Sequence, residues 1–133
     1  MSGREDFIVA VRRGIDPIIK KVTLEGYLPG RFYNDWEPAS LSSCLTGSAQ
    51  LALVCYRLGE VTGEPGYPLI ANRLVNYLKS LQSLKLQYQA VNGAIAGSFP
   101  ILGEYMRAGY PNWASKYFVD ALMMQASLSL DSN

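Results

Sequence analysis

Apolar residues recur at helical spacing in four stretches of the chain, which predicts four main helices. The stretches are residues 4–22, 40–61, 69–84 and 112–129. The second stretch is apolar or small on nearly every face, which indicates a central helix buried on most sides. The third carries one apolar stripe, as a half-exposed helix does, and the fourth is mostly apolar. Pro17 lies inside the first stretch and predicts a kink or a break near residues 14–17.

Two long connections separate these predicted helices, and both are rich in glycine, proline and aromatic residues. Residues 23–40 and 85–111 carry too many large apolar groups for solvated loops, so we expect packed loops, with a short extended piece near 26–33. Serines 40, 42 and 43 and Asn112 offer caps for the helices that follow. The tight turn at 62–68 predicts an antiparallel αα-hairpin, so both long loops should lie on one face.

Composition describes an ordinary folded chain and excludes several classes of partner. The 133 residues are 49% apolar and 17% charged, which is typical of one folded domain, residues 1–133. The net charge of +1 comes from interleaved acidic and basic residues, so we expect no nucleic-acid partner. No apolar run approaches the roughly 18 residues that span a bilayer, and the N-terminus does not resemble a secretory signal. We therefore expect no membrane association and a cytoplasmic location.

The residue types present limit the chemistry that the chain can perform. There is no histidine, which excludes serine–histidine and cysteine–histidine catalysis and most zinc sites. Cys44 and Cys55 would lie about 16 Å apart on one helix, too far for a disulfide, so we expect two reduced, buried thiols. We predict no metal and no cofactor. Any chemistry must use carboxylates, tyrosine, lysine or arginine.

Three carboxylates are candidates for catalysis. Asp35 and Glu37 flank Trp36 ahead of the second helix, and Glu104 lies on the second loop. Glycoside hydrolysis needs two carboxylates roughly 5 to 10 Å apart beside an aromatic platform, which Trp36 would supply. The structural alternative is that Asp35 and Glu37 lie near a helix N-terminus for capping and dipole reasons, with Trp36 in the core.

The second loop also carries candidate binding residues. These residues are Tyr105, Arg107, Tyr110, Asn112, Trp113 and Lys116. The aromatic rings, together with Tyr117, would stack against sugars, and the two cations would bind acidic groups such as uronates. The alternatives are that the aromatics belong to the core and that Lys116 pairs with Asp120 at i,i+4 spacing. The GAIAG and GSFP segments lack the spacing of a phosphate loop, so their glycines permit tight turns.

A resemblance to a known fold group rests on three segments in succession. They are EGYLPGRFYNDWEPASLSSCLTGSAQLALVCYRLGEVTGEPGY, then NYLKSLQ, then NGAIAGSFPILGEYMRAGYPNWASKYFVDALM. This succession, over residues 23–125, resembles C-terminal segments of (α/α)-toroid proteins of the six-hairpin glycosidase-like and terpenoid-cyclase-like group, found in bacterial polysaccharide clusters. The resemblance implies an all-α array of antiparallel αα-hairpins. No DxDD or DDxxD run is present, so a terpenoid-cyclase role is the least favoured.

The resemblance implies a carbohydrate-related role but also an incomplete assembly. We expect loops 26–40 and 93–113 to bind, or help to process, an oligo- or polysaccharide. A complete toroid uses many more than four helices, so we expect a homo-oligomer, or N-terminal hairpins missing from this chain, and no catalysis by this chain alone. The alternative is a non-enzymatic helical interaction or oligomerisation domain, in which the loop aromatics would be fully packed and no concave pocket would form.

Overall fold

The computed structural model describes residues 3–84 and 87–130, which form an all-α fold with four main helices. The helices are α1 (Gly3–Ile19), α2 (Leu45–Thr62), α3 (Gly66–Leu81) and α4 (Asn112–Leu130). A 3₁₀ turn at Gln89–Val91 and two short strands, β1 (Ser43–Cys44) and β2 (Ser98–Phe99), complete the described elements. The predicted fold class is confirmed. None of the described helices combines the length and apolar character needed to cross a bilayer.

Helix α2 is the centre of the core, as its apolar character predicts. It packs against both α3 and α4, and it contributes residues with no exposed surface, among them Ala49, Ala52 and Cys55. Small side chains at these positions let the neighbouring helices approach closely. Helices α2 and α3 form the expected hairpin, closed by Gly63 in the left-handed conformation at the end of α2.

The start of α2 differs from the prediction. Neither Ser40, Ser42 nor Ser43 caps the helix, because the chain is still extended through β1 and turns helical only at Leu45. The cap is Cys44, whose Sγ accepts a hydrogen bond from the backbone N–H of Gly47 at 3.4 Å. The thiol therefore takes the place of the expected hydroxyl, and both cysteines are free.

Helix α1 is not split at Pro17. It continues through the proline and ends two residues later, at Ile19. Because Pro17 lies in the last turn, its missing N–H removes one hydrogen bond from the end of the helix and leaves the rest of the ladder intact. The last turns of α1 pack against the core through Ile15, Ile18 and Ile19.

A partly buried polar network joins the three central helices. The hydroxyl of Tyr56 on α2 donates to Oδ1 of Asn72 on α3 at 2.8 Å. Nε2 of Gln125 on α4 donates to the same oxygen at 3.0 Å. Tyr56 has no exposed surface, and its burial raises the pKa of its hydroxyl to about 12.

The raised pKa of Tyr56 predicts a loss of stability in alkali. Below pH 10, Tyr56 is neutral in both states. Between about pH 10 and 12 it ionises in the unfolded chain but not in the folded one, so the free energy of unfolding falls, by about 2 kcal/mol in all. Urea unfolding at pH 9, 10 and 11 should show a shallower fall in Tyr56→Phe than in Tyr33→Phe, an exposed-ring control. Equal falls in the two variants would contradict this assignment.

Candidate functional site

The two long loops meet at one end of the bundle through a small antiparallel sheet. Strand β1 ends the first loop and β2 lies in the second, with Ser43 opposite Phe99 and Cys44 opposite Ser98. The backbone N–H of Leu45 donates to the carbonyl of Gly97 at 3.0 Å, which extends the junction into the first turn of α2. The expectation that both loops lie on one face is confirmed.

The hydroxyl of Ser42 and a close contact at Gly103 join the two loops, and the hydroxyl of Ser98 holds the second loop to itself. Ser42 Oγ accepts from the backbone N–H of Glu104 at 3.2 Å, and Ser98 Oγ accepts from that of Tyr105 at 2.9 Å. Ser98 also donates to the carbonyl oxygen of Tyr105. A Cβ at Gly103 would lie 2.6 Å from the Cβ of Ser42 and 2.8 Å from that of Ser98. Only glycine allows this approach without displacing one of the loops.

The first loop folds back on itself as a short hairpin over residues 31–39. Backbone hydrogen bonds join the N–H of Ala39 to the carbonyl of Arg31 and the N–H of Tyr33 to the carbonyl of Glu37, each at 2.8 Å. Trp36 takes a left-handed φ of 66° at the turn, which is uncommon for a large residue. The extended piece expected near 26–33 is limited to the single bridge between Phe32 and Pro38.

Between the two loops lies an open cleft of about 1060 Å³. We call it the loop cleft, and it is lined by Arg31, Tyr33, Pro38, Ala39, Ser40, Leu41, Ser42, Pro100, Leu102, Gly103, Glu104 and Arg107. Arg31 pairs with Glu104 across the two loops at 3.3 Å. Arg107 forms no ion pair with any side chain in the described residues. The guanidinium of Arg107 is therefore available in the cleft to bind an acidic ligand.

Only one of the three candidate catalytic carboxylates lines the loop cleft. Glu104 lines the loop cleft, but Asp35 and Glu37 do not. Asp35 Oδ1 accepts a hydrogen bond from the backbone N–H of Glu37 at 3.1 Å, and the carboxylate of Glu37 forms an ion pair with Lys21 at 2.9 Å. Helix α2 begins only at Leu45, so the capping alternative does not describe them either. Glu104 is the one carboxylate among the residues that line the cleft.

Of the six candidate binding residues on the second loop and the start of α4, only Arg107 lines the cleft. Trp113 Nε1 donates to the hydroxyl of Tyr105 at 2.9 Å, and the two rings remain 43% and 38% exposed. Tyr110 and Asn112 are also exposed, and Asn112 is the first residue of α4. Trp36 of the first loop is half-buried outside the cleft lining.

Lys116 forms an ion pair with Asp120, as the structural alternative predicts. Its Nζ pairs with Asp120 at 2.5 Å and lies 4.7 Å from the centroid of the Tyr117 ring. The hydrogen bond to Asp120 raises the pKa of the Lys116 amine. A ligand at this position would have to displace an existing partner.

Several residues of the cleft could not be singled out from the sequence. The sequence predicts that loop 26–40 binds the ligand, but it does not single out Arg31 and Tyr33 among the residues of that loop. The sequence predicts Ser40 and Ser42 as helix caps, but Ser42 contacts both Ser40, at 2.9 Å, and the second loop. Their role depends on a neighbour about 60 residues away, which local patterns do not indicate.

Comparison with protein-family models, with curated proteins and with solved structures found no match. Within residues 3–84 and 87–130, no cluster of three or more cysteine, aspartate or glutamate side chains is arranged to hold a metal. The functional argument therefore rests on the geometry and charge of the loop cleft.

Proposed function

We propose that this chain is a carbohydrate-binding helical domain whose loop cleft holds an acidic oligosaccharide. The observation that carries the proposal is Arg107, which forms no ion pair with any described side chain and lies in an open cleft built jointly by both loops. Sugars present hydroxyl groups and apolar C–H faces together, so a site for them needs hydrogen-bonding groups beside exposed rings and aliphatic side chains. The loop cleft combines these groups on one concave surface.

The charges in the cleft favour an acidic sugar over a neutral one. Arginine binds carboxylates through two parallel, charge-assisted hydrogen bonds, and Arg107 has its guanidinium available for them. Arg31 is held by Glu104 at 3.3 Å, and that carboxylate keeps acceptor capacity for sugar hydroxyls. A sugar whose carboxylate binds Arg107 would thus place its hydroxyl groups against the Arg31–Glu104 pair.

The size of the loop cleft and the side chains that line it suit several linked sugar rings. A volume of about 1060 Å³ lies just above the range typical of small-molecule sites. Tyr33 offers a ring that is 63% exposed, and Leu41 and Leu102 line the same cleft with most of their surface exposed. Ser40 and Ser42 add hydroxyl groups between these apolar side chains. An extended oligosaccharide can therefore contact both loops at once.

The fold group expected from the sequence, the (α/α)-toroid proteins of polysaccharide clusters, would imply the same ligand class. Hydrolysis requires a second carboxylate facing the first across the scissile bond. Among the residues that line the cleft, Glu104 has no such partner, since Asp35 and Glu37 lie outside. We therefore propose binding, rather than cleavage, as the role of this chain.

Calorimetric titration with an oligogalacturonate and with a neutral cello-oligosaccharide tests this proposal. We expect the acidic ligand to bind at least about tenfold more tightly than the neutral one. Arg107→Gln should weaken the acidic ligand about tenfold, since hydrogen bonds to charged groups contribute about 1.5 to 3 kcal/mol, and should leave the neutral ligand unchanged. The control is Arg57→Gln, an exposed arginine on α2 outside the cleft.

Two results would overturn the proposal. One is the absence of binding heat with either ligand at millimolar concentration. The other is an equal loss of affinity in Arg57→Gln and Arg107→Gln, which would mean that the ligand responds to overall charge and not to the cleft.

A further inference from the structure

A second pocket, separate from the loop cleft, lies between the last turns of α1 and the first half of α3. We call it the α1–α3 pocket. Its volume of about 540 Å³ is within the range typical of small-molecule sites. No residue of its lining also lines the loop cleft. Four aliphatic side chains give the pocket its apolar surface, namely Ile19, Val22, Leu69 and Ile70.

Two polar pairs join α1 to the start of α3 at one end of this pocket. Arg12 Nη1 donates to Glu64 Oε1 at 2.7 Å, and the hydroxyl of Tyr67 donates to Asp16 Oδ1 at 2.7 Å. Asp16 Oδ2 also lies 3.6 Å from Nε of Arg12. Both carboxylates of the lining are therefore engaged at this end. Since the first pair leads to the second along both segments, the two run side by side in the same direction.

Further along, both segments carry a cation and neither carries a carboxylate. Lys20 follows Asp16 by four residues and Arg73 follows Tyr67 by six, which places them about 6 and 9 Å beyond that pair. Both line the pocket, and neither forms an ion pair with another described side chain. Arg73 is half-buried, so part of its side chain has left water without gaining an anionic partner. Two like charges in one pocket repel each other, and an anion between them would reverse that effect.

We infer that the α1–α3 pocket binds a small carboxylate with an apolar body, an aryl or alkyl carboxylic acid in its ionised form. The carboxylate lies between Lys20 and Arg73, and the apolar body lies against the aliphatic side chains of the lining. Arginine binds a carboxylate through two parallel hydrogen bonds, and lysine adds a further charge-assisted one. An inorganic anion would make the same charged contacts but would leave the apolar surface in water.

Calorimetric titration of the full chain with 2-naphthoate, 2-naphthamide and acetate tests the inference. We expect naphthoate to bind at least about tenfold more tightly than naphthamide, which has the same rings but no charge. It should also bind at least about tenfold more tightly than acetate, which has the charge but no rings. In NMR spectra, naphthoate should shift the backbone amides of Lys20 and Arg73 at concentrations that leave those of Glu104 and Arg107 in the loop cleft unchanged.

Three variants test the two cations. Naphthoate should bind about tenfold more weakly to Arg73→Gln and about threefold more weakly to Lys20→Gln, whose lysine is more exposed, with naphthamide unchanged in both. The matched control is Arg13→Gln, which removes an exposed α1 cation that forms no ion pair with a described side chain and lies outside the pocket. It should bind naphthoate as the wild type does.

Three results would overturn the inference. They are naphthoate binding no tighter than naphthamide binding, an equal loss in Arg13→Gln and Lys20→Gln, and amide shifts confined to the loop cleft. Lys20→Gln changes an exposed side chain, so it keeps the test valid if Arg73→Gln does not fold. Arg107→Gln should bind naphthoate as the wild type does, so these results are separate from those of sugar binding in the loop cleft.

Discussion

Gly26→Ala will lower the free energy of unfolding by about 2 to 4 kcal/mol. Gly26 has a φ of 93°, and a Cβ there would lie 2.7 Å from the carbonyl carbon of Arg73 and 2.8 Å from the Cβ of Tyr77. Both neighbours belong to α3, and the first is backbone, which cannot move without distorting the helix. The first loop would have to lift away from the bundle.

Gly63→Ala is the control that isolates this packing effect. Gly63 has a φ of 73° at the end of α2, but nothing lies within 4 Å of a Cβ added there. Gly63→Ala should therefore lower the free energy of unfolding only through backbone strain, by about 1 kcal/mol. Urea unfolding of both variants measures the difference. Equal losses would mean that the contact between the first loop and α3 is looser than the structure describes.

Gly103→Ala will lower the free energy of unfolding by about 1 to 3 kcal/mol and will loosen the junction of the two loops. The added methyl group would press on the Cβ atoms of Ser42 and Ser98 at once. The backbone N–H groups of Glu104 and Tyr105, which donate to these two serines, should then exchange hydrogen faster. Hydrogen exchange followed by NMR gives the measurement.

Gly66→Ala serves as the comparison for Gly103→Ala, because a Cβ at Gly66 would meet nothing within 4 Å. It should leave the exchange of both loop amides unchanged. Protection of Glu104 and Tyr105 that is the same in Gly103→Ala as in the wild type would contradict the interlocked loops.

The helices were predictable because their apolar periodicity is long and local. The start of α2 was not, since two-residue strands such as Ser43–Cys44 have no pattern that a sequence can display. Once β1 pairs with β2, the chain is extended up to Cys44, and the thiol becomes the cap that serine was expected to provide. The pairing of β1 with β2, which are distant in the sequence, thus determines where α2 begins.

The candidate site was predictable in outline and not in its residues. The order of loops and helices was enough to place both loops on one face, and Glu104 and Arg107 do line the cleft. Asp35 and Glu37 are absent from the lining of the cleft, and the hairpin that carries them turns at Trp36, in a left-handed conformation that a tryptophan does not signal. Arg31 lines the cleft, where it pairs with Glu104 and donates to the carbonyl of Ala39, and neither contact is visible in the local sequence.

The most direct test of the cleft is one titration of an oligogalacturonate into the wild type and Gly103→Ala, at a temperature where both are folded. If the two loops bind the ligand together, the wild type will bind it and Gly103→Ala will bind it at least about tenfold more weakly. The reason is that displacing one loop removes charge-assisted hydrogen bonds between the cleft and the ligand. An affinity that is the same in both proteins would contradict a binding cleft formed jointly by the two loops.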